Sequence, residues 1–239
     1  MKRATTIARR ELTSYFYSPI AYVAMAVFLV ACAFTFWDDF APGEIAGMRN
    51  LFNWMLWLLV FIVPLLSMGL LAQEWATGTI ETLMTAPVME TDVVLGKFLG
   101  SVAFFLVMLA PTLLYVAVLA IFSNPRIDPG PIFSGYLGVV LVGGLFISIG
   151  LFCSSLTRSQ IVAAVATAAV LFAITIIPWW AGGKLLSPTW LNVVNQTVFK
   201  RYTDFSRGII DTGHLTFFIL STAAFLFLTT KVLESRRWK

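Results

Sequence analysis

Six uncharged apolar segments alternate with polar segments along the 239-residue chain. Each is 18 to 25 residues long, and together they make up about half of the chain. A helix needs about 20 apolar residues to cross a bilayer, so every segment is long enough to do so. The segments are Ile20–Trp37, Trp54–Ala72, Phe98–Phe122, Tyr136–Cys153, Ile161–Trp180 and Gly213–Thr230, and none contains Asp, Glu, Lys or Arg.

The predicted spanning elements are helices, because an unpaired backbone group in lipid is costly and a helix pairs its own. A membrane barrel would need strands of alternating polarity, and these segments do not alternate. Composition agrees, since 59% of residues are hydrophobic and only 12% are charged, which excludes a cytosolic enzyme and a disordered chain. We therefore expect an all-α polytopic membrane protein, in which residues 1–239 form a single transmembrane domain with six spans.

The distribution of positive charge predicts how this domain is oriented. Ten of the 16 Lys and Arg residues fall on the side of the N-terminus, and both termini are strongly basic. The positive-inside rule therefore places both termini in the cytoplasm. All eight Trp residues lie at or near span ends or in loops, as in an aromatic belt. The net charge of +4 thus indicates orientation and contact with lipid headgroups, not nucleic acid.

Two segments outside the spans have helical periodicity. Residues 4–18 predict an amphipathic helix in the inner headgroup layer that stops at Ser18-Pro19, with an ordinary polar tail as the alternative. Residues 181–212 form a long outer loop that predicts an interfacial or partly inserted helix. The first segment has apolar Ile7, Ala8, Leu12, Tyr15 and Phe16 with charged Arg9, Arg10 and Glu11; the second has Leu191, Val194, Val198, Tyr202, Phe205 and Ile209.

Two kinds of residue inside the spans affect helix geometry and packing. Pro64 and Pro111 should kink the second and third spans, because each removes a backbone hydrogen bond. Small residues in the fourth and fifth spans allow close approach of helices, within the chain or, as the second interpretation, between two chains. They are Gly143, Gly144, Ser148 and Gly150, and Ala163, Ala164, Thr167 and Ala168.

The chemistry missing from the sequence narrows the function. His214, at the edge of the last span, is the only ionisable Asp, Glu, Lys, Arg or His residue in the apolar segments, whereas ion-driven carriers need such groups inside the membrane. Neither Gly96-Lys97 nor Gly183-Lys184 completes a nucleotide-binding P-loop. Cys32 and Cys153 have no metal-site spacing. We therefore predict no catalytic, cofactor-binding or metal-binding residue in this chain, so energy for any uphill movement must come from another chain.

The segment 73–97, between the second and third spans, is too polar to span and is patterned. Thr79 is a plausible N-cap, and Ala86-Pro87 would end a short helix because a residue before proline avoids the α region. Its apolar face needs cover, which a groove on a soluble partner, the headgroup layer or the chain's own helix ends could each supply. The polar residues of the first turn are Glu81 and Thr82, and the apolar face is Ile80, Leu83 and Met84.

The residues Gly78-Thr79-Ile80-Glu81-Thr82-Leu83, Thr85-Ala86-Pro87-Val88 and Leu95-Gly96-Lys97 together resemble the signature of ABC-2 type (type V) permeases. These are the membrane subunits of ATP-binding cassette exporters. The resemblance is greatest to the branch of gliding-motility and nitrous-oxide-reductase-maturation permeases. Arg10-Glu11-Leu12 is similar to the elbow helix of the family, and Arg207-Gly208-Ile209-Ile210-Asp211 to its outer-loop segment.

The resemblance implies a division of labour between chains. A coupling helix bounded by Gly78 and Pro87 would sit in a cleft of a cytoplasmic ATPase. It would include Thr79, with Glu81 as its polar contact and Ile80, Leu83 and Met84 as its packing face. Arg10 and Glu11 would belong to the elbow helix.

The implied partners are two ATPase copies, which bind ATP and Mg, and a second permease chain that is identical or a sibling. Membrane lipid and a periplasmic accessory protein are further candidate partners. The implied location is a bacterial inner membrane. Two alternatives differ in function: a membrane scaffold that transmits force from an ATPase and moves no solute, and an ion-coupled carrier.

Overall fold

The computed structural model describes residues 2–39, 47–79, 89–122, 128–184 and 197–237, and every regular element within these ranges is helical. One of these elements is a 3₁₀ turn, Ala110–Thr112. The helices are α1 (Lys2–Tyr17), α2 (Pro19–Asp39), α3 (Arg49–Ser67), α4 (Ala72–Thr77), α5 (Glu90–Leu109), α6 (Leu113–Phe122), α7 (Pro129–Leu156), α8 (Gln160–Lys184), α9 (Val198–Ser206) and α10 (Thr212–Arg237).

Five helical stretches in the described ranges are long and apolar enough to cross a membrane: Pro19–Trp37, Arg49–Thr77, Glu90–Phe122, Pro129–Leu156 and Thr212–Ser235. They contain five of the six apolar segments, so the prediction of an all-helical, multi-pass membrane protein is confirmed. The remaining segment lies in α8. That helix is apolar over Gln160–Ile176, and its later side chains are outside the described residues.

Several helices begin well before their apolar segments. Helix α5 starts at Glu90, ahead of Phe98, and α7 starts at Pro129, ahead of Tyr136. The start of α7 is capped by Asp128, whose side chain accepts a hydrogen bond from the Gly130 amide at 3.0 Å. A spanning helix can extend beyond the hydrocarbon layer, whereas its residues need to be apolar only inside that layer.

Helix α7 is the centre of the bundle. It packs against α3, α5, α8, α9 and α10. Of its 18 most apolar consecutive residues, 78% are buried, compared with 17% for α10 and 22% for α2. The small residues of α7 permit this packing, since Gly143 lies under the Phe105 ring and Gly150 under the Ser67 hydroxyl with no room for a Cβ. Packing within the chain, the first interpretation of these small residues, is therefore confirmed at these two positions.

The two prolines inside the spans lie close to interruptions. Pro111 lies in the 3₁₀ turn that separates α5 from α6, which confirms the predicted distortion. Helix α3 continues through Pro64 and ends at Ser67, and the chain turns at residues 68–71 before α4 begins. The second span is thus a helix with a break near one end.

The two ends of the bundle carry different elements. We call one the α1 end, where Glu11 of α1, Gln73 of α4 and Gln160 of α8 line the same pocket. We call the other the α9 end, where α9 contacts the beginnings of α3 and α7. The chain thus moves from one end of the bundle to the other with each span, as expected for consecutive membrane spans.

Candidate functional site

Helix α1 is the amphipathic helix predicted at residues 4–18, and it packs tightly against α5. A Cβ on Gly96 would lie 2.7 Å from the Ile7 Cβ, and one on Gly100 would lie 2.8 Å from the Ala8 carbonyl oxygen. Two glycines one turn apart therefore allow the two backbones to touch. Part of the apolar stripe of α1 thus packs on α5, while Phe16 of the same stripe is 40% exposed. The position of α1 in the headgroup layer stays a prediction.

Tyr15 fastens α1 to two spans. Its hydroxyl donates to the Leu66 carbonyl at 2.8 Å and lies 3.1 Å from Ser101 Oγ. Its ring stacks on Phe104 with the ring centroids 4.7 Å apart. Burial raises the pKa of the Tyr15 phenol above its ordinary value, so the hydroxyl stays a neutral hydrogen-bond donor at physiological pH.

Lys97, near the start of α5, is the only charged residue buried below a tenth of its surface in the described ranges. Its ammonium lies 3.1 Å from Glu11 Oε2 on α1 and 2.8 Å from Glu74 Oε1 on α4, and its side chain is 4% exposed. One lysine thus joins three helices. Buried ammonium groups need such partners, because desolvating an unpaired charge costs several kcal/mol.

The break between α3 and α4 is stabilised by a single hydroxyl. Ser154 Oγ on α7 accepts from the Leu71 and Ala72 amides at 3.1 and 2.9 Å, and donates to the Met68 carbonyl at 3.0 Å. Within a membrane domain, backbone groups released by a helix break need a partner inside the protein. Ser154 supplies that partner, and this role could not be predicted from sequence.

Gly78 ends α4 in the left-handed region, with φ of 72°, which favours glycine over other residues. The Thr77 and Thr79 hydroxyl oxygens lie 2.9 Å apart just beyond. Gly78 and Thr79 are the last described residues before residues 80–88, which we call the connector between α4 and α5. The other predicted coupling residues, Ile80, Glu81, Leu83, Met84 and Pro87, lie outside the described residues.

The two predicted elbow residues have different environments. Glu11 is in the Lys97 ion pair and also lines a pocket of about 330 Å³ at the α1 end. Arg10 is exposed and lines a shallow surface pocket with Arg9. Of these two residues, Glu11 is the one that connects α1 to a span by an ion pair.

Helix α9, at the other end, covers the starts of α3 and α7. The Tyr202 hydroxyl donates to the Phe52 carbonyl, and Ser134 Oγ donates to the Phe205 carbonyl at 2.8 Å. Val198 is buried as well, whereas Ile209 is 54% exposed and follows the helix. The predicted outer helix is therefore present from Val198 to Ser206, while Leu191 and Val194 lie outside the described residues.

The charges at the α9 end are partly exposed. Asp204 lies 3.7 Å from the Lys200 ammonium and 4.0 Å from His214 Nδ1, and its side chain is 20% exposed. The Arg201 guanidinium lies 4.3 Å above the centre of the Phe217 ring. Water screens such pairs, so each contributes little to stability.

The described contacts at the two ends join helices to one another. In the part of the chain that the structure describes, no three His, Cys, Asp or Glu residues lie close enough to hold a metal ion. Cys32 and Cys153 are buried and unlinked. The arrangement is suited to holding and transmitting helix positions.

Comparison with known proteins identifies one family. The model of a family described as ABC-2 family transporter protein matches residues 5–205, which extends from α1 through almost all of α9. No curated protein matches the chain.

Proposed function

The chain belongs to the ABC-2 family of transporter proteins, and on that premise we propose that it is the permease subunit of an ATP-binding cassette exporter. The family consists of membrane components of ABC transporters, which in general work with an ABC ATPase. In this proposal the chain itself hydrolyses nothing, and ATP and Mg bind to the partner ATPase.

The observation that carries the proposal is the concentration of buried charge at one end of an otherwise apolar bundle. Lys97, Glu11 and Glu74 join α1, α4 and α5 at the α1 end. In sequence, the connector 80–88 runs from α4 to α5. The five spanning candidates carry little charge beyond this point. A membrane subunit driven by a soluble motor needs a firm attachment at one end and no ion relay along its spans.

We propose the following assembly. Two ATPase chains bind two permease chains, which are identical or siblings, and the helix from Gly78 to Pro87 sits in a cleft of each ATPase. Helix α1 is the elbow helix, and α8 completes a set of six spans. The chain lies in a bacterial inner membrane with both termini in the cytoplasm. Closure of the ATPases on ATP pushes the connector and rearranges the spans so that cargo leaves.

Co-purification with an ABC ATPase tests the partnership. We expect the co-expressed pair to purify as a complex that hydrolyses ATP. Glu81→Arg should abolish most of the permease-dependent hydrolysis by reversing the charge of the coupling helix. Glu234→Arg, which changes an exposed glutamate near the C-terminus, is the matched control and should leave it intact. A stable pair without hydrolysis, or full activity in Glu81→Arg, would contradict this proposal.

Reconstitution separates export from force transmission. The purified complex is placed in vesicles containing fluorescent lipid or peptide reporters, and ATP is supplied on the ATPase side. ATP-dependent movement of a reporter supports export. Conformational change with ATP but with no movement of any reporter favours the scaffold that transmits force.

A further inference from the structure

The Lys97 ion pairs connect segments that are far apart in sequence. Glu11 is 86 residues from Lys97, and Glu74 lies across the connector from it. Both carboxylates meet the same ammonium group, which is almost completely shielded from water. Helices α1 and α4 are therefore both linked to α5 through the same atom, Lys97 Nζ.

The two helices depend on this lysine to different degrees. Helix α1 has other attachments, namely the backbone contacts at Gly96 and Gly100 and the hydrogen bonds of Tyr15. Helix α4 is held to α7 by the Ala72 amide, which donates to Ser154 Oγ at 2.9 Å, and its Trp75 packs half-buried on the core. Helices α1 and α5 pack along much of their length, whereas α4 and α5 hardly pack on each other. The Glu74–Lys97 pair is thus a larger part of the link between α4 and α5 than the Glu11–Lys97 pair is of the link between α1 and α5.

The state of Glu74 strengthens this asymmetry. Its Oε1 lies 2.8 Å from the Lys97 ammonium, while its Oε2 is buried with no hydrogen-bond partner among the described residues. A buried ion pair contributes little net stability compared with an apolar contact of the same volume. What it adds is a specific, directional link between two groups.

We propose that Lys97 is a positioning residue that holds α4 to α5 as one rigid unit, so that displacement of the connector is passed to the third span. This inference rests on the proposed function, in which the connector after Gly78 receives the push of the ATPase. Because α4 leads directly into that connector, a loose α4 would absorb the push without moving α5.

Distance measurements between spin labels test the rigid unit without any ATPase. Labels are attached at Ala76→Cys on α4 and Leu99→Cys on α5, which are both exposed positions. Labelled chains are diluted with unlabelled ones to remove distances between chains. The chain without the two added cysteines controls for labelling of Cys32 and Cys153, which are buried. We expect a narrow distance distribution in the doubly labelled chain, a broad one when Glu74→Gln is added, and a narrow one when Glu11→Gln is added.

The assembled complex tests transmission. We expect Glu74→Gln to lower permease-dependent ATP hydrolysis about tenfold, within the range of about 5- to 150-fold typical of coupling between sites. Glu11→Gln should stay close to the parent, and Lys97→Arg should retain most activity because arginine can pair with both carboxylates. Glu234→Gln, in an exposed pair with Lys231, is the control for loss of a charge.

The outcomes separate the two ideas. An unchanged label distribution in Glu74→Gln, or equal broadening in Glu11→Gln, would overturn the role of Lys97 whatever the ATPase does. Failure of any ATPase to bind, with the label results as expected, would instead overturn the proposed function and leave the rigid unit in place. Normal hydrolysis in a Glu74→Gln complex with a broad distribution would show that α4 does not transmit the push.

Discussion

The α1 end and the α9 end are both held by polar contacts, but of different kinds. At the α1 end a lysine with 4% of its side chain exposed is shared by two glutamates. At the α9 end neutral hydroxyls of Tyr202 and Ser134 donate to backbone carbonyls. The lysine that pairs with Asp204 there, Lys200, is 39% exposed.

The two kinds of contact should respond differently when a single side chain is removed. A neutral hydrogen bond contributes about 1 kcal/mol and can be removed without affecting the next one. At the α1 end two carboxylates share one buried ammonium, so loss of Lys97 leaves both of them unpaired. The α1 end should therefore respond sharply to loss of Lys97, whereas the α9 end should respond gradually.

Removal of the shared lysine should have the largest effect. We expect Lys97→Met to lower the free energy of unfolding by about 3 kcal/mol, the lower end of the range for a buried pair, because two partly buried carboxylates lose their counter-charge. Lys200→Met at the α9 end, whose lysine is 39% exposed, should cost no more than about 1 kcal/mol. Unfolding of the purified proteins in mixed micelles measures both, and equal costs would refute the contrast between the ends.

The hydroxyls that serve backbone groups should come next. Ser154→Ala leaves two buried amides at the α3–α4 break without an acceptor, so we expect a loss of about 2–3 kcal/mol. Ser134→Ala at the α9 end removes one bond to Phe205 and should cost about 1 kcal/mol. The same unfolding assay compares them, and a larger loss for Ser134→Ala would reverse the ranking.

The close approach of α1 to α5 provides a steric test. Gly100→Ala would place a methyl group 2.8 Å from the Ala8 carbonyl oxygen, and we expect about 1–3 kcal/mol of destabilisation because backbone must shift. Gly144→Ala is the control, since its Cβ would meet nothing closer than 3.9 Å. Thermal melting measures the pair. If both variants melt alike, the contact between α1 and α5 is looser than described.

Loss of one neutral bond at the α9 end should have the smallest effect. Tyr202→Phe removes the donor to the Phe52 carbonyl and should cost about 1 kcal/mol, with helix α9 still formed. Tyr22→Phe, on an exposed tyrosine of α2, should cost nothing measurable. Circular dichroism and melting report both. Wholesale loss of helix in Tyr202→Phe would mean that this end, too, responds sharply to a single change.

Much of the architecture could be predicted from periodicity and composition. The apolar segments coincide with helices because a chain in lipid has to pair its backbone within each segment. The amphipathic stripe of residues 4–18 predicted α1, and the recurrence of Val198, Tyr202 and Phe205 predicted α9. These are local properties, and neighbouring residues alone determine them.

The candidate site needed more than local pattern. Lys97 is the last residue of the polar segment 73–97, and nothing nearby in sequence reveals its pairing with Glu11. Ser154 directly follows the fourth apolar segment, and its neighbours in sequence do not indicate its contact with the α3–α4 break. Each role depends on groups more than 80 residues away, at Glu11 and at the α3–α4 break.

The sequence by itself determined that the chain is a helical membrane protein, where most of its helices run, and that its spans are nearly free of charge. These follow from the cost of exposing peptide groups and charges to hydrocarbon, which each residue meets alone. Only the tertiary structure decided that α1 packs on α5 and that one lysine pairs with two glutamates. It also decided that a serine of α7 bonds the free backbone groups at the break between α3 and α4. Such contacts depend on which helix faces which, and burial makes them strong only after the helices have packed.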